Sequence, residues 1–243
     1  MNDSQVTPLE QQQLRVAADG GDTFWHRVRF RLVLQAARRS GASTVLDIGA
    51  GSGQLGDWLA RSAGDIAYRF EEDSAVLDTL LTERFGEAHR GTTDEPIPAS
   101  TLAVMLDVLE HIEHDDSMLR GLHARMAPGA QLFITVPAFQ WAFSSWDTSL
   151  GHHRRYSRPQ LRDQARAAGF RVDQSSYLFP ELLPPVLLRK WRRSEREGAD
   201  FPSLPRAVDR TAEAVSRGTA AVRRIWPAGT SVVALLTREG PLA

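Results

Sequence analysis

The stretch Asp47-Ile48-Gly49-Ala50-Gly51-Ser52-Gly53 restricts the fold more than any other part of the chain. The run leading into it, Thr44-Val45-Leu46-Asp47-Ile48, is short, apolar and β-branched, which reads as a buried strand, and it stops at a turn with glycine at every second position. Glycine carries no Cβ, so such a turn can take left-handed backbone and can let a bound molecule lie against main-chain N–H groups. Leu55, Trp58 and Leu59 then recur at helical spacing. Strand, glycine turn and helix in that order open a parallel β-α-β unit, whose crossovers are right-handed.

The rest of the chain keeps the alternation. Apolar runs predict strands over residues 66–70, 102–106, 131–136, 170–179 and 231–238. Between them, Val76, Leu77, Leu80 and Leu81 share one helical face, as do Met118, Leu119, Leu122 and Met126. Pro128-Gly129 marks a turn, and Ser157 with Pro159 behind it predicts a helix start that Gly169 closes. The sequence reads as one domain over 1–243. Residues 1–40 form an N-terminal helical arm whose second helix ends at Gly41, and residues 180–228 are a helical insertion or lid before the last strand. In that insertion Val208, Ala212, Val215, Thr219, Val222 and Trp226 fall on one helical face.

Composition narrows the class. A chain of 243 residues with 42% hydrophobic and 24% charged residues can bury one substantial core. A net charge of -1 gives no general pull toward nucleic acid, so no nucleic-acid partner is expected. The one basic cluster is Arg189, Lys190, Arg192 and Arg193 around Trp191. The absence of cysteine removes disulfides, thiolate zinc sites and a cysteine nucleophile, and fits a cytoplasmic protein. The first 21 residues are polar and acidic, unlike a secretion signal, and no apolar run approaches the roughly 20 residues of a membrane helix.

Two ligand readings compete for the glycine turn. Gly51-Ser52-Gly53-Gln54-Leu55-Gly56 spells the dinucleotide-binding string, with Glu71 about 20 residues on where a ribose ligand belongs. The register argues against it, because Gly49 is the glycine that closes the strand and the string begins two residues late. Asp47 argues against it as well: a carboxylate at the strand tip repels a pyrophosphate but accepts hydrogen bonds from an amino group.

The second reading has company further along. Val45 to Gly53 resembles the first motif of class I methyltransferases, and Asp107-Val108-Leu109-Glu110-His111-Ile112 resembles the post-strand motif of the branch containing ubiquinone-biosynthesis O-methyltransferases. Met126-Ala127-Pro128-Gly129-Ala130 followed by Leu132-Phe133-Ile134-Thr135-Val136-Pro137 is similar to a later pattern of that branch, and 226–231 to the entry of its final strand. The resemblance implies an α/β, Rossmann-like methyltransferase sheet, mostly parallel and seven-stranded with an antiparallel last strand and helices on both faces. It implies S-adenosyl-L-methionine as cofactor. Gly49, Ala50, Gly51 and Gly53 would line its methionine and ribose, with Asp47 ordering the loop or binding the amino group. Glu71, or Glu72 one residue on, would take the ribose hydroxyls, and Asp107 and Val108 would border the cofactor. The branch often holds the adenine amine with an aspartate before a leucine-proline pair; here Thr93-Asp94 precede Ile97-Pro98, and Thr93 would border the cofactor there.

Methyl transfer to a hydroxyl needs a positioned acceptor and a route for its proton. His111 and His114, one helical turn apart, are candidate bases. His152 and His153 in Gly151-His152-His153-Arg154-Arg155-Tyr156 are the others, since both groups fall on loops past the carboxyl ends of strands. Arg154 and Arg155 could brace that loop against Asp147. No metal is expected: Asp107, Glu110, His111, His114 and Asp115 do not share one helical face, and no second carboxylate cluster stands by. Trp25 and Arg29 on the first core helix could fold over the cofactor, the arginine on its carboxylate and the indole beside its sulfonium. The expected partner is a small-molecule acceptor, natural-product, quinone-like or lipid-linked. Peripheral membrane contact could run through 180–193, where an apolar stretch meets the basic cluster. The alternative is a protein of this fold that binds the cofactor yet acts as a scaffold or catalyses something else. Oligomeric state is open.

Overall fold

A computed structural model of the chain describes residues 6–19, 22–191 and 204–240. Two helices come first, α1 (Pro8–Asp19) and α2 (Phe24–Ser40). The alternating part follows as β1 (Thr44–Ile48), α3 (Gln54–Ser62), β2 (Ala67–Glu71), α4 (Ala75–Phe85), β3 (Thr101–Leu106), α5 (Asp115–Arg125) and β4 (Gln131–Pro137). Then come α6 (Ser145–Ser149), α7 (Arg158–Ala167), β5 (Phe170–Leu178), α8 (Leu183–Trp191), α9 (Arg206–Ala221) and β6 (Ser231–Arg238).

The local signals explain the boundaries. Gly41 ends α2 in left-handed backbone at φ 70°, Ser74 accepts the Leu77 N–H to start α4, and Ser157 does the same for Gln160 in α7 with Pro159 in the first turn. The strands form one sheet in the order β2-β1-β3-β4-β6-β5, with β1 to β4 parallel and β6 antiparallel to both its neighbours. Because side chains alternate along a strand, β1 sends Val45 to one face and Leu46 and Ile48 to the other. Val45 joins Phe30, Val33, Leu59 and Val104 in a core beneath α2 and α3, while Leu46 and Ile48 join Met105, Leu119, Leu122 and Leu161 beneath α5 and α7.

One expectation is corrected. The sheet has six strands among the described residues, not seven. Beyond β2 the chain forms only a 3-10 turn at Glu87–His89 and a single bridge between Phe70 and Arg90. Gly86, Gly91, Pro96 and Pro98 crowd this stretch, and proline cannot donate to a strand ladder. Of the stripe expected in the insertion, Val208, Val215 and Val222 are exposed and Ala212, Thr219 and Trp226 partly buried, while α9 buries Ser216 and Ala220. Ion pairs also fasten α9 to α2, Arg27 to Asp209 and Glu213, and Arg31 to Glu213 at 3.0 Å.

Candidate active site

The glycine loop leaves the carboxyl end of β1 with Gly49, Gly51 and Gly53 all in left-handed backbone, at φ 72°, 57° and 74°. At Gly49 a Cβ would lie 2.9 Å from both terminal carbons of Val108, so the loop is pressed against the residue that follows β3 and Asp107. At Gly53 it would strike Leu81 at 2.6 Å. At Gly51 it would meet only the side chain of Gln13, at 3.0 Å. That glycine faces outward toward α1, and Gln13 Oε1 accepts the neighbouring Ser52 N–H at 3.1 Å. Ala50 is partly buried on the core side of the same loop.

Two carboxylates flank these amides. Asp47 is buried and accepts the Tyr68 hydroxyl at 3.2 Å, and burial pushes its carboxyl up to about 7. Glu72 accepts the Gly51 N–H at 2.8 Å and the Ser74 N–H at 3.0 Å. Glu71 lies elsewhere: it is buried and ion-paired with Arg125, which also reaches the Thr92 and Glu95 carbonyls. Of the two acids at the end of β2, the off-by-one residue is therefore the one on the loop. Thr93 is exposed in the turn beside that arginine. The N–H groups, the gap at Gly51 and the paired acids fit a ligand that presents an ammonium and hydroxyls to be accepted and a carboxylate to be donated to.

Arg29 is buried at the ends of β3 and β6, where Nη1 is 2.7 Å from Asp107 Oδ2, Nη2 donates to Ser231 Oγ at 3.0 Å, and the guanidinium stacks 5.6 Å over Phe179. Asp107 takes φ 56°, a costly angle for a residue with a Cβ, and accepts the Thr135 hydroxyl at 3.1 Å. Trp25 packs edge-on to Phe24 at 5.2 Å and beside His26 at 5.4 Å. His26, absent from the sequence expectations, is held neutral: burial and then Arg29 push it down to about 3.

The loops after β3 and β4 meet next to Asp107. Glu110 and His111 sit on a 3-10 turn, Leu109–His111, and His152 arrives from the loop after α6. The rings of His111 and His152 are edge-to-face at 4.5 Å. His152 Nδ1 lies 2.9 Å from Asp147 Oδ1, and Arg155 Nε donates to the same oxygen at 2.7 Å. Burial opposes ionisation of Asp147, but these bonds outweigh it and hold its carboxyl well below the usual carboxylate range. Burial, with His152 alongside, pushes His111 down to about 4. Glu110 is fully buried, and burial with Asp107 nearby raises its carboxyl well above the ordinary value.

His153 is different: its N–H donates to the Glu110 carbonyl at 2.8 Å while its side chain is exposed. Of the two arginines expected on Asp147, Arg155 is there, whereas Arg154 pairs with Asp115 at 2.8 Å. His114 and Asp115 take no part in the cluster. The expectation of no metal counted ligands within one segment, but the fold adds His152 to Glu110 and His111 from a second segment. One ligand-type atom from each of the three lies within 4.8 Å of the others. An apolar cleft of about 450 Å³ lies apart from this chemistry, between α9 and the chain entering α8, walled by Phe24, Leu182, Val208 and Val215.

Residues 23–175 match the family described as a methyltransferase domain. No curated protein matches the chain. Among solved structures it is similar to Haemonchus contortus phosphoethanolamine N-methyltransferase 2 in complex with S-adenosyl-L-methionine, at 16% identity and TM-score 0.53, covering 86% of this chain and 53% of that one. A S-adenosylmethionine-dependent methyltransferase from Clostridium acetobutylicum gives 8% identity and TM-score 0.54 over 88% and 92% of the two chains. The cyclase SpnF gives 18% and 0.57 over 96% and 94%. At these identities the likeness is one of fold. The family match spans more than half the chain and includes the glycine loop, its two acids and the residues after β3, so the chain belongs to the methyltransferase-domain family and is an S-adenosylmethionine-dependent methyltransferase.

Proposed function

We propose that the protein methylates a hydroxyl of a small organic acceptor, with the acceptor lying against His152 and His111. The observation that carries this reading is the Asp147–His152 pair: a buried carboxylate fixes Nδ1 and leaves Nε2 free, beside a motif pressed against the glycine loop. His152 is the group we assign to the acceptor's proton, with His111 next to it; His153 serves through its backbone. When bound, the cofactor supplies an electrophilic methyl group on a sulfonium. Asp47, Gly49, Ala50, Gly51, Gly53 and Glu72 would hold it, Asp47 toward its ammonium and Glu72 toward its ribose, with Asp107, Val108 and Arg29 along the methionine side. Trp25 and Thr93 stay at the margin of that site.

The motif resemblance to the ubiquinone-biosynthesis branch supports a quinone-like or phenolic acceptor. An acceptor on a lipid tail would suit the insertion, where Leu187, Leu188, Val208 and Val215 are exposed. Arg192 and Arg193 of the basic cluster lie outside the described residues, as do the side chains of Arg189, Lys190 and Trp191. No helix among the described residues is long and apolar enough to cross a membrane.

The test is mass analysis of hydroxylated candidates incubated with enzyme and methyl-labelled cofactor. A labelled product that disappears in His152→Ala is expected. Cofactor binding without any methylated product across phenols, alcohols and amines would favour the scaffold or non-methylating alternative. Sedimentation with anionic and neutral vesicles tests the insertion; equal, negligible binding to both would remove membrane contact from the proposal.

A further inference from the structure

Apart from its own backbone N–H, the Glu110 carboxylate meets no hydrogen-bond donor, although the side chain is wholly shielded from water. A buried carboxylate normally turns to a cation or to several donors. The two cations acting on it are already engaged, Arg29 with Asp107 and Arg155 with Asp147. Protonation would remove the charge yet leave an O–H and a carbonyl oxygen just as unpartnered. What gathers around the carboxylate is a pair of imidazoles, His111 and His152, whose nitrogens come within 4.8 Å of it and of each other.

Both rings are held from behind. Asp147 Oδ1 engages His152 Nδ1 at 2.9 Å, and the Leu150 carbonyl accepts from His111. Asp147 is itself fixed by Arg155 and by the Ser144 N–H at 2.9 Å. A carboxylate or carbonyl behind each imidazole, fixing its tautomer and turning the remaining lone pair inward, is the usual outer support of a metal ligand. The bond from the His153 N–H to the Glu110 carbonyl clamps the two segments that supply the donors.

We propose that Glu110, His111 and His152 bind one divalent transition-metal ion through a carboxylate oxygen and two imidazole nitrogens. The mixed oxygen and nitrogen set suits ions such as Zn²⁺, Mn²⁺, Fe²⁺ or Co²⁺ and disfavours Mg²⁺ and Ca²⁺, which prefer oxygen alone. Bonds of about 2.0–2.2 Å bring any two ligand atoms to within roughly 4 Å, so the side-chain ends need to close by only about an ångström. Three protein ligands leave at least one position open. Resting on the methyl-transfer reading above, that position would take the oxygen of the acceptor's hydroxyl and make it acidic enough to release its proton to solvent; with the ion bound, His152 serves as its ligand, in place of the base role assigned to it above. The acceptor class narrows to phenols or alcohols whose oxygen can ligate the ion.

The experiment uses untagged full-length protein, freed of metal by chelator and titrated with Co²⁺ while visible absorption is recorded, with Zn²⁺ as competitor. One equivalent of Co²⁺ giving a d–d band that Zn²⁺ abolishes is expected. Glu110→Gln and His152→Ala should each weaken Co²⁺ binding by on the order of a hundredfold or more, and Asp147→Asn by about 10- to 100-fold. Pulsed electron paramagnetic resonance of Mn²⁺-loaded wild type, which needs no variant to fold, should count two coordinated imidazoles. No Co²⁺ band, fewer than two imidazoles, or unchanged affinity in folded Glu110→Gln would overturn the site. Cofactor binding and methylation are measured on the same samples. Methylation that persists without any bound ion refutes the metal alone, whereas ion binding without any methylated product refutes the methyl-transfer reading alone.

Discussion

Gly51 and Gly53 share a backbone conformation but not a neighbourhood, and substitutions should separate them. A side chain at Gly51 meets only the movable amide of Gln13, so Gly51→Val should still fold, less stably because a β-branched residue is strained at φ 57°, yet fill the space over the loop amides and abolish cofactor binding. The expected readout is a native circular dichroism spectrum with no cofactor-induced melting shift; normal affinity would refute the loop's role. Gly53→Ala drives a Cβ into Leu81 and Phe85, and should cost about 1–3 kcal/mol of stability by chemical denaturation. Asp47 gives a pH signature. Its carboxyl moves from an ordinary 3.8 up to about 7, so the folded state holds that proton more tightly than the unfolded chain does. Its contribution is full below about 4, falls as pH rises toward about 7, and is flat above. Urea titrations of the ligand-free protein from pH 5 to pH 8 should show this slope, and Asp47→Asn should remove it. The loop's glycines and Asp47 were legible in the sequence because strand, turn and acid are contiguous. Which of Glu71 and Glu72 touches the loop was not, since one residue of register at a strand end decides which face a side chain takes.

The helices α2, α4, α5 and α7 were legible in place, because caps and apolar spacing are local signals; what they cover was not. The stripe on α9 was visible as a period, but a period does not say whether the core or water lies opposite, and its valines face out. The bond between α9 and α2 runs through Arg27, Asp209 and Glu213, which are partly exposed. Replacing Asp209 and Glu213 together by alanine should cost about 1 kcal/mol, and less in high salt, when denaturation midpoints are compared. A loss unaffected by salt would point to packing as the cause. At the other end of the chain, α1 spans the glycine loop through Gln13, while Glu10 accepts from Ser74 at the start of α4. Gln13→Ala should speed cofactor dissociation in stopped-flow while moving the ligand-free stability by no more than about 0.5 kcal/mol. An unchanged dissociation rate would show that α1 plays no part in retaining the ligand.

Across the whole molecule, strand order brings the glycine loop and the histidine cluster together. β1, β3 and β4 are neighbours, so the segments that leave their carboxyl ends converge although more than a hundred residues separate Asp47 from His152. No local pattern announces such a meeting, which is why the Glu110, His111 and His152 grouping emerged only from the fold. The missing seventh strand has the opposite origin: it came from family resemblance, and a glycine- and proline-rich segment could not supply it. A ligand that binds only the folded chain adds about 2.7 kcal/mol at a hundred times its dissociation constant. For a domain of this size that is a rise of roughly 5–10 °C in melting temperature; S-adenosylmethionine should produce it and NAD should not, and the reverse would overturn the cofactor assignment. The lone bridge at Arg90 has a further effect. His89 engages the Tyr68 carbonyl at 2.6 Å and the Gly91 N–H donates to the Phe70 carbonyl at 2.7 Å, so the outer rim of β2 is already occupied by its own chain. At the opposite rim β5 is broken by a bulge between Val172 and Gln174, with Arg171 and Asp173 beside it. Neither border offers a long, flat row of free amides, so the sheet resists templated growth by strands from other molecules.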